Sequence, residues 1–163
     1  MTKRELMLKV LEPYILVNKT KSQIYSLLGK CIGSLWEEAL PIISGGKYEF
    51  VDAHGYDFSD GTEAKTASVS ESLINPNGCT YKGRITNTGT CHEKYKTGDL
   101  RVAVYNPIAV RVDYLYIPAK DIPDLSGKAY SGTDPAIDFT YNADYDSYPK
   151  LDKYLVSLQE VAA

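Results

Sequence analysis

The pair Asp60-Gly61, set between Tyr56-Asp57-Phe58 and Glu63-Ala64-Lys65-Thr66, is the tightest local constraint in the chain. An Asp-Gly step between two short runs able to extend is a strong hairpin signal, so the flanking segments should run antiparallel. With Ser59-Asp60-Gly61 as a three-residue loop, Gly61 takes the left-handed position and Asp57 lies across from Glu63. A two-residue loop would set Phe58 opposite Glu63 and turn Asp57 to the other face. The three-residue loop is the expected one: it leaves Asp60 at the exposed tip and keeps Phe58 out of the place a ligand should fill. Strand side chains alternate, so Glu63 and Lys65 then share a face with Asp57. Two carboxylates and an ammonium on one small surface can hold a divalent metal through hard oxygens and keep a cation beside a reacting phosphate. A solvated hairpin would carry the same alternation, but the low-charge run Thr66-Ala67-Ser68-Val69-Ser70 favours a buried strand.

The pattern Asp57…Glu63-Ala64-Lys65 resembles the signature of the PD-(D/E)xK nuclease superfamily, the restriction-endonuclease-like fold. Its short spacing, Asp57-Phe58…Glu63-x-Lys65-Thr66, is most similar to the branch holding the mismatch-repair nicking endonuclease and its restriction-enzyme relatives. The resemblance covers residues 20 to 70. It implies a divalent-metal-dependent endonuclease acting on double-stranded DNA and leaving a 5′-phosphate and a 3′-hydroxyl. Asp57 and Glu63 would bind Mg²⁺, with Mn²⁺ as a substitute, and Lys65 would orient the attacking water or stabilise charge on the phosphate. Relatives cut both strands as homodimers, while the mismatch-repair enzyme nicks as a monomer.

Thr2 with Glu5, and Thr20 with Gln23, read as capping boxes. The first opens a helix that Pro13 should end; the second opens one running to about Leu40, with Pro41 as its stop. In the second helix Ile24, Leu27, Leu28, Cys31, Ile32, Leu35 and Ala39 fall on one apolar face. Stepping ~100° per residue places Glu38 inside that stripe and Glu37 nearly opposite. A carboxylate on a buried face is costly unless it is paired or binds a metal. In the families resembled, a helix before the catalytic hairpin lends an acid to the site, which makes Glu38 the candidate third catalytic acid and metal ligand. At a frayed last turn it would reach solvent instead.

The net charge of −3 argues against binding nucleic acid by bulk positive charge. The charge is uneven, with 14 Lys and Arg against 12 acids up to Arg111, and 4 against 9 from Val112 onward. Within residues 79–101 Lys82, Arg84, Lys94, Lys96 and Arg101 outnumber Glu93 and Asp99, with Asn87 and tyrosines among them. That mixture suits phosphate and base-edge contacts, so Lys82, Arg84, Asn87, Lys94, Lys96 and Arg101 are the candidate DNA-binding residues. A solvated hairpin face is the alternative. Cys79 and Cys91-His92 offer only three ligands and no Cys-x-x-Cys spacing, which argues against a structural zinc. His54 lies just before the hairpin and could assist there or be a bystander.

Three scattered cysteines make no disulfide framework, no apolar run is long enough to span a bilayer, and Met1-Thr2-Lys3-Arg4-Glu5 does not read as a signal peptide. An intracellular (cytoplasmic) protein without a membrane segment is therefore expected. At 163 residues a single domain is simplest: residues 1–40 helical, 48–117 a β-rich catalytic core, and 118–163 an acidic loop plus a last helix starting at Pro149. Tyr48 to Asp52 reads as a strand entering the hairpin, and Thr62 to Ser70 as a central strand. Leu100–Tyr105 and Ala109–Ile117 make a strand-turn-strand unit around Asn106-Pro107, and residues 119–150 read as mostly irregular. The order is that of an α+β domain with a central mixed β-sheet flanked by helices. The resemblance implies a crossover helix after the Glu-x-Lys strand, yet none is visible between residues 71 and 100. A non-catalytic DNA-binding or anti-nuclease protein that keeps the fold, and a glycan- or protein-binding β module suggested by the fourteen tyrosines, are the other readings.

Overall fold

Thr2 and Glu5 form the reciprocal cap that their spacing predicts. The Glu5 amide donates to Thr2 Oγ1 at 3.2 Å and the Thr2 amide to Glu5 Oε2 at 2.6 Å. They open helix α1 (Lys3–Asn18), and α2 (Ile32–Ile43) follows. The computed structural model describes residues 1–18, 32–53, 56–70, 79–86, 98–127 and 136–162; the second capping box and the start of its helix lie outside them. Both helices run through the proline expected to end them, Pro13 in α1 and Pro41 in α2. Each proline withholds one donor from the carbonyl four residues back. Packing carries the helices across that gap, because Leu6, Met7 and Leu11 of α1 are buried in one cluster with Leu35, Trp36, Ala39, Leu40 and Ile43 of α2.

The strands among the described residues are β1 (Phe50–Ala53), β2 (Tyr56–Phe58), β3 (Glu63–Ser68), β4 (Thr80–Ile85), β5 (Leu100–Asn106), β6 (Arg111–Ile117), β7 (Ile137–Asn142) and β8 (Leu155–Val156). The main sheet has the order β3-β5-β6-β8, with β3 parallel to β5 and the other neighbours antiparallel. β1 pairs with β2, and β4 with β7, as two antiparallel ribbons. The Glu63 and Val69 amides point at the Asp99 and Tyr105 carbonyls on the β5 side. Strand amides alternate in direction, so the even-numbered ones face outward, and that of Ser70 reaches the Lys82 carbonyl of β4 at 2.8 Å.

Alternation along β5 divides the core. Leu100, Val102 and Val104 face one cluster with Ile85, Leu115, Ile117, Ile137, Phe139 and Tyr148. Ala103 and Tyr105 face the other, which α1 and α2 cover. Helix α3 (Ile122–Ser126) packs into the first cluster through Ile122 and Leu125, and α4 (Leu158–Ala162) into the second through Val161. The fold is thus mixed α+β, with a mixed sheet and, among the described residues, four α-helices.

Three expectations are corrected. β5 and β6, not β3, hold the centre of the main sheet. The segment from residue 119, expected to be mostly irregular, contains a 3-10 turn (Ala119–Asp121), α3 and β7. The last stretch is not one helix from Pro149 but a 3-10 turn (Asp152–Tyr154), β8 and α4. The edge of β6 captures Leu155 and Val156 as ladder partners of Leu115 and Tyr114, which breaks the helical period.

A polar network ties β6 to the turn after β7. Arg111 donates to Asp146 at 2.6 and 2.9 Å and to Asp113 at 2.8 Å, and Tyr141 Oη donates to Asp146 at 2.7 Å. Hydrogen bonds from Arg111 and then Tyr141 hold the Asp146 carboxyl at about 2. A folded pKa below the ordinary Asp value of about 3.9 contributes stability that is complete above that value and is lost as pH falls toward the folded one. Thermal melts between pH 5 and about 2 should therefore show a falling limb, and Asp146→Asn should make it shallower. An unchanged limb in the variant would remove this residue from the acid response.

Candidate metal and phosphate site on β3

The loop before β3 has the predicted length, although β2 ladders with β1 and β3 with β5 rather than the two with each other. The Gly61 amide donates to the Phe58 carbonyl at 2.9 Å and the Phe58 amide to the Thr62 carbonyl at 3.0 Å, which closes a three-residue loop. Gly61 sits at φ +84°, the left-handed region that glycine enters without a Cβ clash. Phe58 is fully buried beneath α1 and α2. Asp57 is half-buried, and its Oδ2 accepts the Ala64 amide at 2.9 Å. That amide is one of those β3 turns away from β5. The bond fixes the carboxylate at the edge of β3, level with the residue between Glu63 and Lys65.

Glu63 is 8% exposed, and its Oε1 pairs with Lys65 Nζ at 2.7 Å. Its Oε2 is buried and has no hydrogen-bond partner among the described residues. A carboxylate oxygen in that condition costs about 1–3 kcal/mol unless something else takes it. Mg²⁺ is commonly held by one or two carboxylates, with substrate phosphate and water completing the octahedron. Asp57 and Glu63 are two carboxylates of that kind on and beside β3. No cluster of three or more Asp, Glu, His or Cys able to hold a metal forms among the described residues.

The α2 acid that shares a hollow with Lys65 is Glu37; the expected Glu38 does not line it. Gly33 and Glu37, one turn apart on α2, line a hollow of about 150 Å³ with Ala64, Lys65, Thr66 and Thr86. The buried stripe of α2 includes Trp36 and Leu40 besides Leu35, Ala39 and Ile43. Those two residues rotate its centre away from the line read in the sequence. Glu37 and Glu38 then flank the stripe on opposite sides, both half-buried.

Asp60 lies at the exposed tip, as expected, but its carboxylate is engaged there: Oδ1 accepts the Thr62 amide at 3.1 Å and its hydroxyl at 2.6 Å. Its Oδ2 takes Arg101 Nη2 at 2.6 Å. Burial opposes its charge, but the bonds from Thr62 and Arg101 outweigh it and hold Asp60 below the ordinary carboxylate range. Arg101, expected on a DNA-binding surface, is 5% exposed. Its Nε donates to Thr62 Oγ1 at 2.9 Å, its Nη1 to Tyr114 Oη, and its guanidinium lies 3.9 Å from the Tyr48 ring centre and 4.9 Å from that of Tyr116. All of its nitrogens are occupied, so none is offered to a phosphate. A signal was present: Arg101 is the lone charge in Leu100–Tyr105, a run apolar on both faces. Gly98 closes the loop from outside, since a Cβ there would stand 2.0 Å from the Gly61 carbonyl oxygen.

Of the remaining candidate cations, Lys82 and Arg84 lie exposed on β4, and Arg84 pairs with Asp138 of β7 at 2.6 and 3.2 Å. Asn87, Lys94, Lys96, His54, Cys91 and His92 lie outside the described residues, and with them the zinc question. No helix among the described residues is long and apolar enough to cross a membrane. No family model, curated protein or solved structure matches this chain.

Proposed function

We propose that this chain is a divalent-metal-dependent DNA endonuclease whose working face is Asp57, Glu63 and Lys65 on and beside β3. The observation that carries the reading is Glu63 itself, a buried carboxylate with one oxygen on Lys65 and the other without a hydrogen-bond partner among the described residues. Asp57 and Glu63 would hold Mg²⁺ or Mn²⁺. When bound, the ion supplies a Lewis acid for a phosphodiester and lowers the pKa of a nearby water. Asp57 has its carboxylate fixed at the edge of β3 by the Ala64 amide. Lys65 carries its positive charge on the same face, where it orients a water or offsets charge developing on the phosphate.

The parallel pairing of β3 with β5 and the cover of α1 and α2 on one face support a restriction-endonuclease-like arrangement. The described part of the β3–β5 connection contains β4. Double-stranded DNA as substrate, an intracellular location and a homodimer for double-strand cutting belong to the same reading. Supercoiled plasmid incubated with Mg²⁺ or Mn²⁺ should be converted to nicked or linear product, and EDTA should stop the conversion. A pure preparation inactive on several DNA substrates with both metals would sink the proposal.

A further inference from the structure

A groove of about 740 Å³ opens between the far end of β3 and the β4–β7 ribbon. Its cations are Lys82, Arg84 and Lys150, against the single carboxylate of Asp138, and the hydroxyls of Ser68, Ser70 and Thr140 stand among them. Lys82 makes no ion pair among the described residues, and Arg84 uses only Nε and Nη2 on Asp138, which leaves Nη1 for another acceptor. Lys150 is anchored by the carbonyls of Leu125 and Asp138, so its charge is held in place at the wall. Phe139 and Pro149 supply apolar surface. The lining is therefore an excess of positive charge and neutral donors over an apolar base.

We propose that this groove seats an unpaired strand of nucleic acid, with Lys82 and Arg84 on its phosphates. The volume falls within the 300–1,000 Å³ of clefts that enclose small ligands, which suits a flexible strand better than a rigid duplex. A positive groove that tracks the backbone is how single strands are held without reading sequence. The groove also lies near the proposed nuclease face: Ser68, on the opposite side of β3 from Lys65, is three residues beyond it, about 10 Å at strand rise. Only the use made of this proximity rests on the nuclease reading; strand binding does not. The substrate class that follows is DNA with an unpaired segment beside the cut, such as a flap or a junction arm.

The test is fluorescence anisotropy in EDTA, where no cleavage occurs, using labelled oligo-dT, a duplex of the same length, and unlabelled dTMP as competitor. Oligo-dT should bind more tightly than the duplex. The Lys82→Ala/Arg84→Ala double variant should weaken it on the order of tenfold at about 0.1 M salt and lower the log-log salt slope by about 1.4, at 0.7 per single-strand phosphate contact. The Glu63→Gln variant should bind oligo-dT normally whether or not the chain cleaves DNA, so strand binding and catalysis fail separately. An unchanged slope in the double variant, or tighter binding to duplex, overturns the proposal. A phosphate on a sugar is equally the chemistry of a free mononucleotide, and competition by dTMP at equal nucleotide concentration would overturn the strand as occupant.

Discussion

Glu63→Gln should lower the rate of metal-dependent cleavage by about 10²–10³-fold without lowering the melting temperature. The substitution keeps the side chain's shape and removes the charge. Folding loses the Lys65 pair at 2.7 Å, but it also sheds a buried charge whose Oε2 has no partner among the described residues. Breaking one side of a buried pair is ordinarily expensive, but Lys65 retains 18% side-chain exposure through which water can reach it. The two effects on stability oppose each other, whereas the effects on a metal site and on catalysis act in one direction. Plasmid cleavage and thermal melts on the same preparation decide the matter. A fall in melting temperature that accounts for the lost activity would make the Glu63–Lys65 pair structural. Asp57→Asn should likewise weaken Mn²⁺ binding in calorimetry.

Arg101→Ala should have the largest effect on stability, about 3 kcal/mol, the low end for breaking a buried ion pair because Asp60 keeps 29% side-chain exposure. For a chain of this size that is a fall in melting temperature on the order of 10 °C. The loss comes from stranding Asp60, Thr62 Oγ1 and Tyr114 Oη together and from emptying the space between the Tyr48 and Tyr116 rings. Since Asp60 has a folded pKa below its ordinary value, the pair's contribution is complete above the unfolded pKa and is lost as pH falls through the folded one. The deficit of the variant should therefore shrink in acid. Asp60→Asn should reproduce part of the instability and leave Mn²⁺ binding intact, the reverse of Asp57→Asn. Melts of the two single variants and the double variant measure the coupling. Additive losses would mean that the 2.6 Å contact between Asp60 and Arg101 contributes nothing of its own.

What the residues alone determined is local. The Asp60-Gly61 step set the three-residue loop, because one left-handed position must be filled and Gly61 fills it without strain. The choice of Asp57 over Phe58 for the outward face followed from period-2 alternation, and the Thr2–Glu5 cap from spacing on a first helical turn. The strand-turn-strand from Leu100 to Ile117 was legible because both arms are long and apolar. Tertiary packing decided the rest. Pro13 and Pro41 stay inside helices because a shared core compensates each missing bond, a balance no local rule contains. Glu37 rather than Glu38 borders Lys65 because Trp36 and Leu40, once buried, turn α2 by a fraction of a turn. Arg101 points inward because Asp60, 41 residues away in sequence, supplies the countercharge that a buried guanidinium requires, and only the folded chain brings the two together.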